Sequence, residues 1–547
     1  MRRARIAALA AVVPLVLSGP ADGATYVVGL RAGVDAARAA KALERVTGSP
    51  AERVGPLPAL VVRADAPDRL RALPAVRYVE RLRERRLAYV PSDPFVPRQW
   101  YLTHSRFYEP WLALPVLPPV RVAVIDSGVD ATHPELAGKI VAARSFVGGS
   151  AKVDALGHGT FVAGLIAAGV DNGVGIAGLA PSAELLVAKV VTRSRSIPVR
   201  AEAEAIAWAV DNGARVVNMS LGGVRDPLDP ERDTFSQLEA DAVAYAVSRG
   251  AVVVAAVGNS HLPGQAPWRY ASYPAALPHV LGVSAIGESG AVPRFSNRDP
   301  VFNDIAAPGE RILSLLPRPL TARFPACVEQ GYSSCGPEEY RETQGTSFAA
   351  PQVSAAAAVI RALRPRLAPE QVRAIVTRSA VDQTPATGCG GCAPGRDALT
   401  GWGRLDVAAA IAALVQPLPP RDRFEANDDV GPRAQRIRGD ERRLFASVDF
   451  WDDQDDVYAI HLERGQGVYV GLAAPGSSAT LSLALWRPGT PSIRGVGAPS
   501  FRAALSARGG PRQYLAYRAR ERGTHFVHVR IPLPGATGYR LTIVKGQ

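Results

Sequence analysis

Short apolar runs rich in β-branched residues and Ala-rich segments both occur along the middle of the chain. The runs are Val122–Ile125, Ala214–Val217 and Ala251–Val257, and their length and composition are typical of buried parallel strands. The Ala-rich segments Phe161–Ala168 and Phe348–Arg361 predict buried helices. Buried parallel strands together with buried helices indicate an α/β fold.

Polar residues of the types used in catalysis stand at the ends of these elements. Asp126 follows the first strand, where open α/β sheets place their sites, and Asn259 follows the third strand. His158 and Ser347 open the two helices. Taken singly, the four residues could be turn formers, a structural histidine and a helix cap. Together they supply the carboxylate, base, hydroxyl and oxyanion donor that acyl transfer needs.

The sequences around these residues carry a family resemblance. It covers roughly residues 92–415, and four segments occur in a fixed order: VRVAVIDSGVD (120–130), GHGTFVAGLIAA (157–168), VVVAAVGNS (252–260) and GTSFAAP (345–351). They resemble the subtilisin-like serine peptidases. The fold implied is a subtilisin-like, mostly parallel sheet flanked by helices.

The resemblance also implies a role for each of the four residues. Ser347 would attack a peptide carbonyl, His158 would take its proton, and Asp126 would hold the imidazole in the required orientation. The side-chain amide of Asn259 and the backbone N–H of Ser347 would stabilise the oxyanion.

A substrate cleft follows from the same resemblance. One wall resembles the edge on which an extended peptide adds as a strand, and the pocket base aligns with a small residue, which predicts room for large apolar or aromatic side chains. Trp268 either narrows the entrance or packs its loop down. The residues expected to bind substrate are Ser220, Leu221, Gly222, Gly223, Ala255, Ala256, Gly258 and Ser272.

The segment Asp171–Gly178 resembles the family's calcium loop. Oxygen ligands on a tight loop suit the flexible coordination of calcium. Glu135 stands where the family usually has Asp. The resemblance implies a structural calcium ion bound by Glu135, the side chain of Asn172 and the carbonyls of Val170, Val174 and Ile176.

Residues 1–23 have the parts of a secretory signal peptide. Arg2, Arg3 and Arg5 precede the apolar run Ile6–Leu17, and small residues follow. We expect secretion and no membrane span after signal removal, although an uncleaved anchor is an alternative. Whether the protein is free or held at the cell surface stays open.

Residues 24–91 alternate between strand and helix patterns. The expected order is a strand at 26–30, a helix at 36–46, a strand at 60–64, a helix at 67–73 and a strand at 76–79. The pattern resembles the small α+β inhibitory propeptide of many subtilisin-like enzymes. The basic run 81–86 would then be the processing region, or else a solvated linker, and the peptidase domain would span 92–416.

Residues 421–547 change to short alternating runs at 457–462, 467–472, 480–486 and 539–544, which predict an antiparallel β-sandwich. The acidic segment 422–429, with Asp455 and Asp456 later, resembles the prepeptidase C-terminal domain of secreted bacterial peptidases. Its carboxylates could bind calcium or form polar turns, and turns are the favoured interpretation.

Charge and cysteine content add little to this picture. The formal charge of the 547 residues is +13. Residues 1–91 carry sixteen basic and eight acidic side chains, so most of the positive charge lies in this segment. The remainder is modest, and no nucleic-acid partner is expected.

Four cysteines fit an oxidising compartment. The pairs Cys327–Cys335 and Cys389–Cys392 are favoured, while a C-x-x-C redox site or a four-cysteine zinc site is an alternative.

The sequence therefore predicts a secreted, monomeric serine endopeptidase that acts on polypeptides and is inhibited by its own propeptide until that segment is removed. A processing peptidase of narrow specificity and a peptide acyltransferase or cyclase share every motif. A binding module on a peptidase scaffold is disfavoured because all four site residues are present.

Overall fold

The protein, described from a computed structural model, forms two compact units, residues 1–87 and 88–547. The structure describes residues 24–82, 89–259, 267–323, 339–417, 422–493, 498–506 and 508–546. The expected signal peptide, most of the basic run at 81–86, and Cys327 and Cys335 lie outside the described residues.

A four-stranded antiparallel sheet with two helices forms the first unit. The three expected strands and two expected helices are present in the predicted order, and the two-residue strand at Glu52–Arg53 is an addition that was not predicted. The sheet order is β2-β3-β1-β4, and Val28, Leu43, Leu60 and Leu70 fill its core. The elements are β1 (Ala24–Leu30), α1 (Ala36–Thr47), β2 (Glu52–Arg53), β3 (Ala59–Ala64), α2 (Pro67–Arg71) and β4 (Val76–Arg81).

A seven-stranded parallel sheet is the centre of the second unit, with strand order β11-β10-β9-β8-β5-β7-β6. The strands β12 (Ile312–Leu315) and β13 (Tyr340–Thr343) pair beside it. The strands of the large sheet are β5 (Val120–Asp126), β6 (Ile140–Ser145), β7 (Ala183–Lys189), β8 (Val216–Met219), β9 (Val252–Ala256), β10 (Val280–Ile286) and β11 (Ile305–Pro308).

Helices cover both faces of this sheet, so its strands are apolar on both sides. Along β5, Val122 and Val124 join one core with α4 and α8, whereas Ala123 and Ile125 join the other core with α5 and α6. The helices are α3 (Trp100–His104), α4 (His158–Ala167), α5 (Val199–Asp211), α6 (Gln237–Ser248), α7 (Arg318–Arg323), α8 (Thr346–Leu363), α9 (Pro369–Arg378) and α10 (Val407–Ala413). The predicted fold class is confirmed.

Two further sheets at the C-terminal end enclose a separate apolar core, with strand orders β14-β16-β21-β18-β19 and β15-β22-β17-β20. The pairing is antiparallel except between β14 and β16. The strands are β14 (Gln435–Arg436), β15 (Glu441–Asp449), β16 (Asp455–Leu462), β17 (Gly467–Ala473), β18 (Ser482–Trp486), β19 (Arg502–Ser506), β20 (Arg512–Arg518), β21 (Gly523–Arg530) and β22 (Ala536–Lys545). Within the described part of the chain, no helix is both long enough and apolar enough to span a membrane.

Candidate active site

Four polar residues meet in one cleft at the carboxyl edge of the parallel sheet. Asp126 is the last residue of β5, and Asn259 follows β9. His158 is the first residue of α4, and Ser347 is the second residue of α8. All four line the cleft, so the structure brings together the residues expected to be catalytic.

The Asp126 carboxylate binds the imidazole of His158 with both oxygens. His158 Nδ1 lies 2.9 Å from Oδ1 and 3.0 Å from Oδ2 of Asp126, while the backbone N–H of Ser127 donates to Oδ1 at 2.7 Å. Burial opposes protonation of His158, but the charge and hydrogen bond of Asp126 outweigh it, so the pKa of His158 is raised above its usual value. The buried carboxylate therefore orients the imidazole and stabilises its protonated form.

Asp154 fixes the start of α4 against the end of β5, a contact that sequence reasoning missed. Its carboxylate accepts hydrogen bonds from the Ser127 hydroxyl at 2.8 Å, the Gly157 N–H at 2.9 Å and both donors of Thr160 at 2.8 and 2.9 Å. The only signal in the sequence is an acidic residue four positions before His158. Through Ser127 and the helix start, Asp154 holds the two segments that carry the Asp126–His158 pair.

An aromatic wall borders His158. The ring of Phe348 lies 5.4 Å from the imidazole and 4.5 Å from the ring of Phe161, measured between centroids. Gly159 lies so close to the strand end that an added Cβ would be 2.1 Å from the carbonyl oxygen of Gly128. The imidazole is therefore confined between an apolar surface and Asp126.

Ser347 is tied to the end of β8 through two hydrogen bonds with Ser220. The Ser347 hydroxyl donates to the Ser220 carbonyl at 3.1 Å, and the Ser220 hydroxyl donates to the Ser347 carbonyl at 2.7 Å. Hydrogen bonds of a catalytic hydroxyl commonly tighten only when substrate is present. The pair positions the start of α8 over the cleft.

Asn259 is oriented by the residue that precedes Ser347. Its amide oxygen accepts from the backbone N–H of Thr346 at 2.9 Å and from the Thr346 hydroxyl at 3.0 Å. Because the oxygen is anchored in this way, the amide nitrogen is the end left to donate to a ligand. Sequence reasoning found Asn259 but not the role of Thr346.

Seven of the eight residues expected to bind substrate line the cleft: Ser220, Leu221, Gly222, Gly223, Ala256, Gly258 and Ser272. Ala255 does not. It is fully buried in the apolar core, because successive residues of a strand point to opposite faces and its neighbour Ala256 faces the cleft. At Gly222, an added Cβ would lie 2.2 Å from the carbonyl oxygen of Tyr273.

The cleft also contains apolar side chains outside any motif, including Leu156, Ile197 and Leu316. No pattern in the sequence marks them as cleft residues. The indole N–H of Trp268 donates to the Arg225 carbonyl at 3.1 Å, and Trp268 is absent from the described lining of the cleft. The described residues therefore favour a packing role over a narrowed entrance.

Comparison with known proteins identifies the family of this fold and cleft. The model of the subtilase family matches residues 119–403. The chain belongs to the subtilase family. It is 36% identical to subtilisin DY of Bacillus licheniformis over 255 residues, which cover 46% of this chain and 81% of that protein. It is 33% identical to thermitase of Thermoactinomyces vulgaris over 274 residues, covering 50% and 85%.

A solved structure, fervidolysin from Fervidobacterium pennivorans, matches this subtilase with a TM-score of 0.50 at 22% identity. The match covers 92% of this chain and 69% of that one, and it concerns the fold. The family match and the similarity to subtilisin DY and thermitase identify the protein as a serine-type endopeptidase, which is a hydrolase.

Hydrogen bonds link the predicted ligands of the calcium loop of this subtilase. The Glu135 carboxylate accepts from Asn172 Nδ2 at 2.9 Å, the Ile176 N–H at 2.9 Å and the Tyr340 hydroxyl at 3.3 Å. The Asn172 amide oxygen accepts from the Val174 N–H at 2.8 Å. The two predicted side-chain ligands, Glu135 and Asn172, thus lie in contact with each other, and a carboxylate oxygen that accepts one hydrogen bond keeps a lone pair for an ion. The carbonyls of Val170, Val174 and Ile176 stay predicted ligands.

Acidic groups that could hold a metal lie elsewhere, between the peptidase part and the C-terminal sandwich. Two overlapping sets have ligand atoms within 4.8 Å of one another. Burial first, and then neighbouring carboxylates, raise the pKa values of Asp453 and Asp456 well above their usual range. The sets are His279, Glu425, Asp428 and Asp453, and Asp422, Glu425, Asp453 and Asp456.

Cys389 and Cys392 form a disulfide, with their Cα atoms 5.4 Å apart. The predicted local pairing is confirmed for these two cysteines, and the bonded pair is not available as a zinc ligand set. Cys327 and Cys335 lie outside the described residues.

Proposed function

We propose that this subtilase is a secreted endopeptidase that hydrolyses polypeptides through Asp126, His158 and Ser347. One observation carries the proposal most directly: His158 Nδ1 bonds the buried Asp126 carboxylate at 2.9 Å, in a cleft that also contains Ser347 and Asn259. A nucleophile, a base and a group that orients the base are the parts that covalent acyl transfer needs.

In the proposed reaction, the Ser347 hydroxyl rotates from the Ser220 carbonyl toward His158 and attacks the peptide carbonyl. His158 accepts the hydroxyl proton on Nε2, while Asp126 holds Nδ1–H and stabilises the imidazolium. When the tetrahedral intermediate collapses, the C–N bond breaks and His158 gives the proton to the leaving amine. Water, deprotonated by His158, then hydrolyses the acyl-enzyme and releases Ser347.

Two donors would stabilise the negative charge of the tetrahedral intermediate. The Ser347 N–H lies in the first turn of α8, where backbone amides point toward bound negative charge. The amide nitrogen of Asn259 is the second donor, since Thr346 holds the amide oxygen. Fixed donors need no reorganisation during the reaction, which is why such groups contribute strongly to catalysis.

Substrate would bind as an extended strand along Ser220–Gly223, with a side chain entering the pocket between Ala256 and Ser272. Gly222 and Gly258 carry no side chain that would obstruct the peptide, and small residues line this part of the cleft. Peptide bonds after large apolar or aromatic residues are therefore the proposed targets.

Maturation by removal of residues 24–91 is the next part of the proposal. Its support is that the described residues 24–82 form a compact unit with its own core. The chain with Ser347→Ala, produced alone, should stay unprocessed near residues 80–92, whereas the unmutated chain should lose this segment. Processing of the variant would exclude self-maturation.

Secretion is supported by the charged and apolar pattern of residues 1–23. Names of relatives point to different locations: a major intracellular serine protease and a cell wall-associated protease, both of Bacillus subtilis. Fractionation of producing cells, with N-terminal sequencing of the exported protein, tests this part. Full-length protein retained in the cytoplasm would contradict it.

The activity is tested with a fluorophosphonate probe and with casein. The unmutated protein should be labelled at Ser347 and should cleave casein, and Ser347→Ala should do neither. Labelling without casein cleavage would favour a narrow-specificity processing peptidase. Products ligated to an added amine instead of hydrolysed would favour the acyltransferase alternative.

A further inference from the structure

A group of carboxylates is buried where the C-terminal sandwich meets the peptidase part. Asp422, Glu425, Asp453 and Asp456 each place one oxygen within 4.8 Å of the others. Asp456 is fully buried, and the other three side chains are more than nine-tenths buried. The sequence favours polar turns for the segment 422–429, but the carboxylates of this segment are buried.

Many of these polar atoms have no hydrogen-bond partner among the described residues. Oδ2 of Asp422 accepts a hydrogen bond from the Ser447 N–H at 2.6 Å, and Oδ2 of Asp456 accepts one from the Tyr539 hydroxyl at 2.5 Å. No backbone N–H or hydroxyl among the described residues donates to Oε1 and Oε2 of Glu425, Oδ1 of Asp453, Oδ1 of Asp456 or the amide oxygen of Asn427, although the carboxyl groups of Glu425 and Asp453 contact each other. Buried polar groups are nearly always satisfied in native proteins, so this concentration indicates a ligand.

The cations nearby are engaged mainly by other carboxylates. His279 Nε2 lies 2.9 Å from Asp428 and 3.1 Å from Glu425 Oε2, an ion-pair contact without hydrogen-bond geometry. Arg373 pairs with Asp304 at 2.6 Å and with Asp452 at 3.0 Å. Asp453 and Asp456 have no cationic partner among the described ion pairs. Burying uncompensated carboxylates is costly, and a bound cation removes that cost.

We propose that Asp422, Glu425, Asp453 and Asp456, together with the amide oxygen of Asn427, bind a calcium ion. Calcium takes six to eight oxygen ligands at about 2.3–2.6 Å, so ligands on opposite sides of the ion lie up to about 5 Å apart. The observed upper limit of 4.8 Å fits this span. Magnesium binds oxygens at about 2.0–2.1 Å and demands an octahedral arrangement, which suits a tighter cluster.

The proposed site lies beside the contact between the two parts of the second unit. Its ligands come from the segment that enters the sandwich and from the start of β16, and Glu425 also contacts His279, which immediately precedes β10 of the peptidase sheet. The two parts also meet directly, since Trp402 and Trp451 pack with ring centroids 5.3 Å apart. Calcium should therefore stabilise the docking of the sandwich on the peptidase part.

The test uses the full chain with Ser347→Ala to prevent self-digestion, stripped of metal and titrated with calcium alone by calorimetry and thermal unfolding. Calcium should bind and raise Tm, and Asp453→Asn should weaken binding at least tenfold. The matched control Asp440→Asn, an exposed carboxylate of the same sandwich, should bind as the parent does.

Absence of calcium binding, or unchanged affinity in Asp453→Asn, would overturn the proposal. Loss of binding in Glu135→Gln together with full binding in Asp453→Asn would also overturn it and assign the ion to the Glu135 loop. If Asp453→Asn does not fold, crystals of the parent grown with manganese in place of calcium give the answer. An anomalous peak between Asp453 and Asp456 supports the proposal, and a peak only elsewhere refutes it.

Discussion

Two buried glutamates on neighbouring helices should make the stability of this subtilase fall as pH rises. Glu202 lies in the first turn of α5 and Glu239 in the first turn of α6, and both side chains are buried. Burial raises the pKa of Glu239 from 4.5 to about 7. Burial and the charge of Glu239 raise the pKa of Glu202 well above its usual range, so one carboxyl group stays protonated and donates to the other.

Whether stability rises or falls with pH depends on which state, folded or unfolded, keeps the Glu239 proton. The unfolded chain loses the Glu239 proton near pH 4.5, whereas the folded chain keeps it to about pH 7. Between these values the folded state binds more protons, so the free energy of unfolding falls with rising pH. At about 1.4 kcal/mol per pH unit, the loss is about 3 kcal/mol, complete above pH 7. With an unfolding entropy of roughly 1 kcal/mol/K for a unit of this size, Tm should fall by about 3 °C.

Thermal unfolding of the Ser347→Ala chain at pH 5, 7 and 9 measures this effect. Glu239→Gln keeps the shape of the protonated side chain, so it should gain stability over its parent between pH 5 and 9, by about 3 °C in Tm. Glu204→Gln, a more exposed position on α5 paired with Arg200, is the matched control and should show no such gain. If the Tm difference between Glu239→Gln and its parent were independent of pH, the assigned pKa shift would be refuted.

Three further predictions concern the cleft. Asn259→Ala should lower kcat by about 10²–10³, a magnitude measured within this family, with a smaller change in KM. Steady-state kinetics on a peptide ester measures both constants. An unchanged kcat would show that Asn259 does not stabilise the oxyanion. Neutral His158 is the proposed base, and Asp126 raises its pKa. The value of kcat/KM should therefore increase with pH through a midpoint above the ordinary imidazole value, and Asp126→Asn should lower both that midpoint and the rate. Ala256→Val should change the preferred residue at the cleavage site, measured by mass mapping of casein fragments. Ala255→Val should leave that preference intact and reduce stability by about 1–3 kcal/mol through overpacking, and the opposite pattern would contradict the assignment of the two faces of β9.

The sequence predicts best those parts of the molecule whose signal is local. The apolar run at 122–125 lies within β5, and the helix expected after His158 is α4. Because the carboxyl ends of parallel strands share one edge, the order of strands also brings Asp126 and Asn259 to one cleft. Ala255 is the one residue wrongly predicted to bind substrate. It differs from its neighbour Ala256 only in the face of the sheet to which its side chain points, and comparing motifs does not reveal that face.

What the sequence could not supply depends on contacts between distant positions. Thr346 orients Asn259 across 87 positions, and His279 meets Asp428 across 149. An acidic segment beside a domain boundary is most simply a solvated turn, because water stabilises its charges. Once the sandwich packs against the peptidase part, the same carboxylates lose that water, and the turn becomes a buried group that a cation would stabilise. The change from turn to candidate metal site is therefore a property of the docked domains rather than of the segment that carries the carboxylates.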